Sequence, residues 1–146
     1  MNDYLTIPLP ASDGQTYALK DFAGKKLIVY FYPKDNTSGC TIQAKDFTHY
    51  KDAFAAKGYT IIGISRDSLK SHQSFIEKQD LGILLLSDEE EKLIQAFDVL
   101  KEKSMYGKTY IGVDRSTFVL NEHGTIVQSL RGVKAKGHAE LLLETL

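Results

Sequence analysis

The chain has 146 residues, 42% hydrophobic and 25% charged, with a formal net charge of -1, 11 glycines, 3 prolines and 1 cysteine. That length fits one compact domain, residues 1–146, able to bury roughly 68–70% of its unfolded surface, and the composition excludes a disordered or fibrous chain. Near-neutrality leaves no basic field for nucleic acid or anionic lipid, and one thiol excludes an internal disulfide or a cysteine-built zinc site and fits a reducing compartment, the cytoplasm.

Residues 1–10 are polar at Asn2 and Asp3 and lack both a basic flank and an apolar core, so no signal peptide is expected there. No apolar run approaches the roughly 20 residues that span a bilayer. Asp13-Gly14 reads as a turn before a short strand at 16–19, and 20–24 as a loop or single turn. Residues 26–32, KLIVYFY, are apolar on both faces and predict a buried central strand, ended by Pro33. A polar loop follows, and from Cys40 the period becomes helical through Phe47, Tyr50 and Phe54 until Gly58.

Residues 59–64 (YTIIGI) predict a second buried strand, 68–79 a helix with Leu69, His72, Phe75 and Ile76 inward, and 83–86 a short strand. Ser87 is expected to cap a helix over 88–97 whose acidic start suits the positive helix end. Strands at 117–120 and 125–130 flank the turn Asn121-Glu122-His123-Gly124, and 135–146 predicts a terminal helix. The order is roughly β-β-α-β-α-β-α-β-β-α. It predicts an α/β chain with a mixed central sheet, helices on both faces and an N-terminal β-hairpin. Ligands of such sheets sit beyond the carboxyl ends of the strands, where Cys40 lies.

Cys40 is expected where a loop enters a helix. Free N–H groups and about half a positive charge there stabilise a thiolate, the nucleophilic form. Gly39 permits close backbone approach to a ligand. Thr37 is placed to give its hydroxyl proton to the sulfur or to a bound oxygen, and Pro33 removes a donor and stiffens the loop. Taken singly, these residues also read as a buried thiol, a loop cap and a strand terminator. The spacing Pro33-x-x-x-Thr37-x-x-Cys40 couples them.

That segment, YFYPKDNTSGCT (30–41), resembles the active-site signature of peroxiredoxins, most closely the bacterioferritin comigratory protein or peroxiredoxin Q group. Matches continue in order through LKDFAGKKLIVYFYP (19–33), IIGISRDS (61–68), LLSDEE (85–90) and YGKTYIGVDRSTFVL (106–120), so the similarity covers almost the whole chain. The resemblance implies a thioredoxin-like fold and a thiol peroxidase without metal or organic cofactor. It also implies that Arg115, before a late strand, holds the sulfur as thiolate and binds the peroxide oxygens. Gln43 stands where many relatives carry glutamate; it supports the loop or simply faces solvent. Relatives place a resolving cysteine at the positions of Lys45 or Ile94, and neither is cysteine here. The expected cycle therefore uses a hydroperoxide substrate and an external thiol reductant: a small thiol, glutaredoxin or thioredoxin. The group implies a monomer or weak homodimer. The other readings of the same residues are a peroxide sensor that relays oxidation to a partner, and a binding module with an inert thiol.

Other signals carry less. Gly107-Lys108-Thr109 imitates the end of a phosphate loop, but position 102 is Glu102 where glycine is required. Asn36-Thr37-Ser38 is a sequon without a secretory context. His49, His72, His123 and His138 show no ligand spacing, and Lys134-Ala135-Lys136 is too short for nucleic acid.

Overall fold

The computed structural model describes residues 3–146. Its centre is a five-stranded mixed sheet, and the sheet's middle strand is the KLIVYFY run. Strand β3 (Lys26–Phe31) pairs in parallel with β4 (Tyr59–Ser65) and antiparallel with β8 (Ser116–Leu120). Beyond them lie β5 (Leu84–Ser87), parallel to β4, and β9 (Ile126–Leu130), antiparallel to β8. Two short strands, β1 (Leu9–Pro10) and β2 (Thr16–Tyr17), form the N-terminal hairpin around Asp13-Gly14. The expected strand at 16–19 stops early because Leu19–Phe22 turns into a 3-10 helix.

Period-two alternation explains why the strands read as apolar throughout. From β3, Leu27, Val29 and Phe31 enter one apolar cluster, joined by Ile62, Ile64, Phe118 and Leu120. Ile28, Tyr30 and then Tyr32 enter the cluster on the other face, with Ile61, Leu85 and Val119. Helix α4 (Lys92–Ala96) covers the first cluster through Leu93 and Ile94. The second receives Cys40, Ala44 and Phe47 of α1 (Ser38–His49), Phe54 of α2 (Lys51–Ala56), Phe75 of α3 (Leu69–Gln79), and Ala139 and Leu142 of α5 (His138–Thr145).

Further features depart from the sequence reading. The helix expected from Cys40 to Gly58 breaks at Tyr50 (φ −95°, ψ 8°) into α1 and α2, although Phe54 N–H still donates to Tyr50 O. The helix expected over 88–97 shrinks to α4. Ser87 does not cap it, but closes β5 and donates its hydroxyl to Asp67 O, 2.6 Å. Asp88 instead accepts from the amides of Lys92 and Ile94, while burial raises its carboxyl above the usual carboxylate range. Finally, β6 (Leu100–Met105) and β7 (Lys108–Val113) form a hairpin that the polar stretch KEKSMYGKTY did not announce. Its two turn residues, Tyr106 and Gly107, both have positive φ (53° and 78°), the geometry that matches strand twist in a two-residue hairpin.

Candidate active site at the N-terminus of α1

The chain leaves β3 at its carboxyl end, and residues 32–37 connect it to α1. Thr37 has extended N-cap geometry, and Cys40 is the third helical residue, so the sulfur sits on the turn whose amides have no intrahelical acceptors. No acidic side chain occupies that turn, so no carboxylate competes for its positive end. Cys40 is 1% exposed and packs among Tyr30, Tyr32, Ala44 and Phe47.

Arg115 reaches this point from 75 residues away. Antiparallel pairing of β3 with β8 sets Phe31 opposite Ser116, so the residue before β8 is delivered to the end of β3 where the Cys40 loop begins. The Arg115 carbonyl, accepting from Val133 N–H, fixes the backbone there. Its guanidinium forks: Nη2–H donates to Cys40 Sγ at 3.5 Å, and Nη1–H donates to Gln43 Oε1 at 2.6 Å. Gln43 is fully buried and does not face solvent. The guanidinium and the helix terminus thus both turn positive charge toward the sulfur.

Thr37 lies in the loop as expected, but its hydroxyl donates to Lys34 O at 2.8 Å. A carbonyl can only accept, so the Thr37 proton is committed and its oxygen is left as an acceptor. Pro33 is half-buried immediately after Tyr32, whose own N–H bonds Ile64 O. Gly39 leaves little room for a side chain: a Cβ there would stand 3.1 Å from Arg115 Nη2 and 3.7 Å from Ala135 Cβ. Gly39→Ala is therefore expected to push the guanidinium by a few tenths of an ångström and slow peroxide reaction roughly tenfold. The added methyl gives up to about 1 kcal/mol of helix propensity, so thermal stability should hold or rise. Stopped-flow rates and a melting curve on one sample check both halves; an unchanged rate shows that the guanidinium yields without consequence.

The remaining neighbours are polar groups without a redox task. His138 is buried, bonded to Thr117 Oγ1 at 2.8 Å, and held below its ordinary value by burial and by the charge of Arg115, hence neutral at pH 7. Tyr30 is pushed well up by burial and then by the Cys40 charge, so it remains a phenol. Among the described residues, the buried Tyr30 hydroxyl and the Gln43 amide nitrogen have no hydrogen-bond partner. Lys103, half-buried on β6, donates to Val113 O at 2.6 Å and is lowered by burial. The two positions at which the family resemblance leads one to expect a second cysteine lie apart: Lys45 is exposed on α1, and Ile94 is buried in the cluster on the far face of the sheet from Cys40.

Sequence reasoning missed one conspicuous group, the buried Asp35–His72 pair. The only signal was a histidine on the inner face of a predicted helix, and nothing local pointed to its partner 37 residues earlier.

The AhpC/TSA family model matches residues 3–129. Peroxiredoxin Bcp of Xanthomonas campestris pv. campestris is 48% identical over 140 residues, covering 96% of this chain and 88% of that protein. Peroxiredoxin Bcp of Bacillus subtilis is 45% identical over 140 residues, covering 96% and 89%. A solved structure of the Xanthomonas campestris bacterioferritin comigratory protein, from work on its alkyl peroxide reduction activity, superposes with a TM-score of 0.93 at 45% identity, covering 99% of this chain and 92% of that one.

Proposed function

The chain belongs to the AhpC/TSA family and is a peroxiredoxin, a thiol peroxidase of thioredoxin-like fold, and we propose that Cys40 reacts with the peroxide while Arg115, Thr37 and the amides of the first turn of α1 hold the reacting oxygens. The observation that carries this assignment is the Arg115 Nη2–H donated to the only sulfur of a cysteine in the chain. Hydrogen peroxide and organic hydroperoxides are the substrates. The hydroperoxide O–H donates a hydrogen bond to the Thr37 oxygen, whose own proton is engaged by Lys34 O. The Cys40 thiolate attacks the terminal oxygen. An S–O bond forms as the O–O bond breaks, and the departing oxygen takes the bond pair and the hydroperoxide proton. The products are water or an alcohol and a sulfenate on Cys40. Negative charge grows on the departing oxygen, where the guanidinium and the orphan amides are preorganised for it. Pro33, Gly39 and Gln43 hold the frame: a stiff loop, space for the guanidinium, and its second acceptor.

No second thiol exists in these 146 residues, so the sulfenic acid condenses with an external thiol, releasing water. A second equivalent of thiol then frees Cys40 from the mixed disulfide. A small thiol, glutaredoxin or thioredoxin serves, and a working free thiol supports a cytoplasmic location. The packing of both apolar clusters on one sheet supports a single domain, and the family resemblance suggests a monomer or weak dimer.

Mass spectrometry after one equivalent of peroxide tests the cycle. One oxygen is expected on Cys40 without thiol, and a mixed disulfide followed by free Cys40 with excess small thiol. An unmodified Cys40 sinks the assignment. A sulfenate that persists in small thiol but oxidises a partner protein rapidly supports the sensor reading instead.

A further inference from the structure

Asp35 is 4% exposed, in the middle of the loop that carries Thr37. Both carboxylate oxygens and the N–H of this residue are bonded. Its carboxylate Oδ1 accepts from Tyr32 Oη at 2.6 Å. Its Oδ2 accepts from Ser71 Oγ at 2.8 Å and lies 2.7 Å from His72 Nδ1. Its N–H donates to Asp67 Oδ2 at 2.8 Å, which also accepts from Ser65 Oγ at 2.6 Å. His72 is fully buried, and its Nε2 lies 2.9 Å from the carbonyl of Leu86.

These contacts fix protons. A carbonyl only accepts, so Nε2 carries a hydrogen. Nδ1 and Oδ2 at 2.7 Å need a second proton between them, since two bare lone pairs repel at that distance. One proton therefore lies between Asp35 and His72 in a buried site, and the loop is tied by this contact to α3 and to the end of β5. Asp35, Asp67 and His72 bring metal-ligand atoms close together, but each of those atoms is already engaged by a hydrogen bond.

We propose that Tyr32, Asp35 and His72 are positioning residues for the peroxidase reaction: they clamp the loop between β3 and α1 so that the Thr37 oxygen stands where hydroperoxide binds. The clamp acts at a sensitive place. Asn36, between Asp35 and Thr37, has φ of 62°, so a small turn at Asp35 redirects everything after it. Misplacing a reacting group by about 1 Å costs roughly a hundredfold in rate.

The inference rests on the peroxidase reading, and the test keeps the two apart. Three quantities are measured on wild type, Asp35→Asn and His72→Gln: the second-order rate with peroxide, the rate of alkylation by iodoacetamide, and the far-downfield proton NMR spectrum. Alkylation needs the Cys40 sulfur but not the oxygen-binding groups of the loop. Both variants should lose roughly tenfold or more with peroxide while alkylation changes less than about twofold. In a Thr37→Val background the further loss from Asp35→Asn should shrink to within about threefold, because the group being positioned is already gone. A shared-proton resonance is expected in wild type and absent from both variants. Equal losses in the two reactions, or additive losses with Thr37→Val, overturn the proposal. So does a wild-type spectrum without the resonance, whatever the activity. A wild type that shows the resonance but consumes no peroxide overturns the functional reading and the proposal with it. Should Asp35→Asn fail to fold, the same readings on His72→Gln decide.

Discussion

Cys40→Ser is expected to abolish peroxide consumption, to the background rate of buffer with thiol. The substitution changes one buried atom in a residue that is 1% exposed, so the surrounding packing of Tyr30, Ala44 and Phe47 is kept nearly isosteric. What disappears is the nucleophile. A serine hydroxyl is not ionised by one guanidinium at the distance seen here, and oxygen lacks the soft lone pairs with which sulfur attacks a weak O–O bond. No other thiol in the chain can substitute. The check is a coupled turnover assay with excess thiol, with circular dichroism to show that the variant is folded. Turnover within tenfold of wild type would remove Cys40 from the reaction.

Arg115→Ala is expected to slow the reaction of Cys40 with peroxide by roughly two orders of magnitude or more, the scale of losing a preorganised donor at developing charge. Two losses combine. The thiolate gives up the contact at 3.5 Å, and the departing oxygen gives up its strongest positive partner. A structural effect accompanies them. Gln43 is fully buried, its amide nitrogen is already unpartnered, and removal of Nη1 orphans Oε1 as well. An abandoned buried polar atom costs about 1–3 kcal/mol, which lowers the melting temperature by several degrees in a domain of this size. Arg115→Lys separates the two contributions. Lysine keeps the charge but cannot donate to Sγ and Oε1 from one planar fork, so its rate should fall between wild type and alanine. A second-order rate unchanged in Arg115→Ala, measured by stopped flow, would place the stabilisation of the reacting charge elsewhere.

The central sheet was legible because burial on both faces leaves an unmistakable mark. KLIVYFY and YTIIGI alternate their side chains into two different apolar clusters, and only a strand sandwiched between layers needs both sets. The split at Tyr50 was not legible: Phe47, Tyr50 and Phe54 keep helical spacing across it, and the first bond of α2 continues the helical ladder. Nor was the β6–β7 hairpin, whose strands are largely exposed and thus free of apolar alternation. The helix expected at 88–97 failed for a related reason. Ser87 and the acidic run have the chemistry of a helix start, but β5 claims Ser87 for the sheet and Asp67 claims its hydroxyl.

By itself, the sequence determined what is local in this site. A proline-stiffened loop, a hydroxyl, a glycine and a thiol arrive within eight residues, and their order places the sulfur on the first turn of a helix with its unpaired amides. Tertiary structure alone decided everything that must cross the chain. The register of β8 on β3 delivers Arg115 to the sulfur, burial turns Gln43 from a surface residue into the guanidinium's second acceptor, and the Thr37 proton goes to Lys34. The physical reason is range. Capping, turn and propensity effects act over a few bonds, whereas a charge at 3.5 Å or an amide pressed against an arginine depends on which strands lie side by side, and that is set by packing of the whole core.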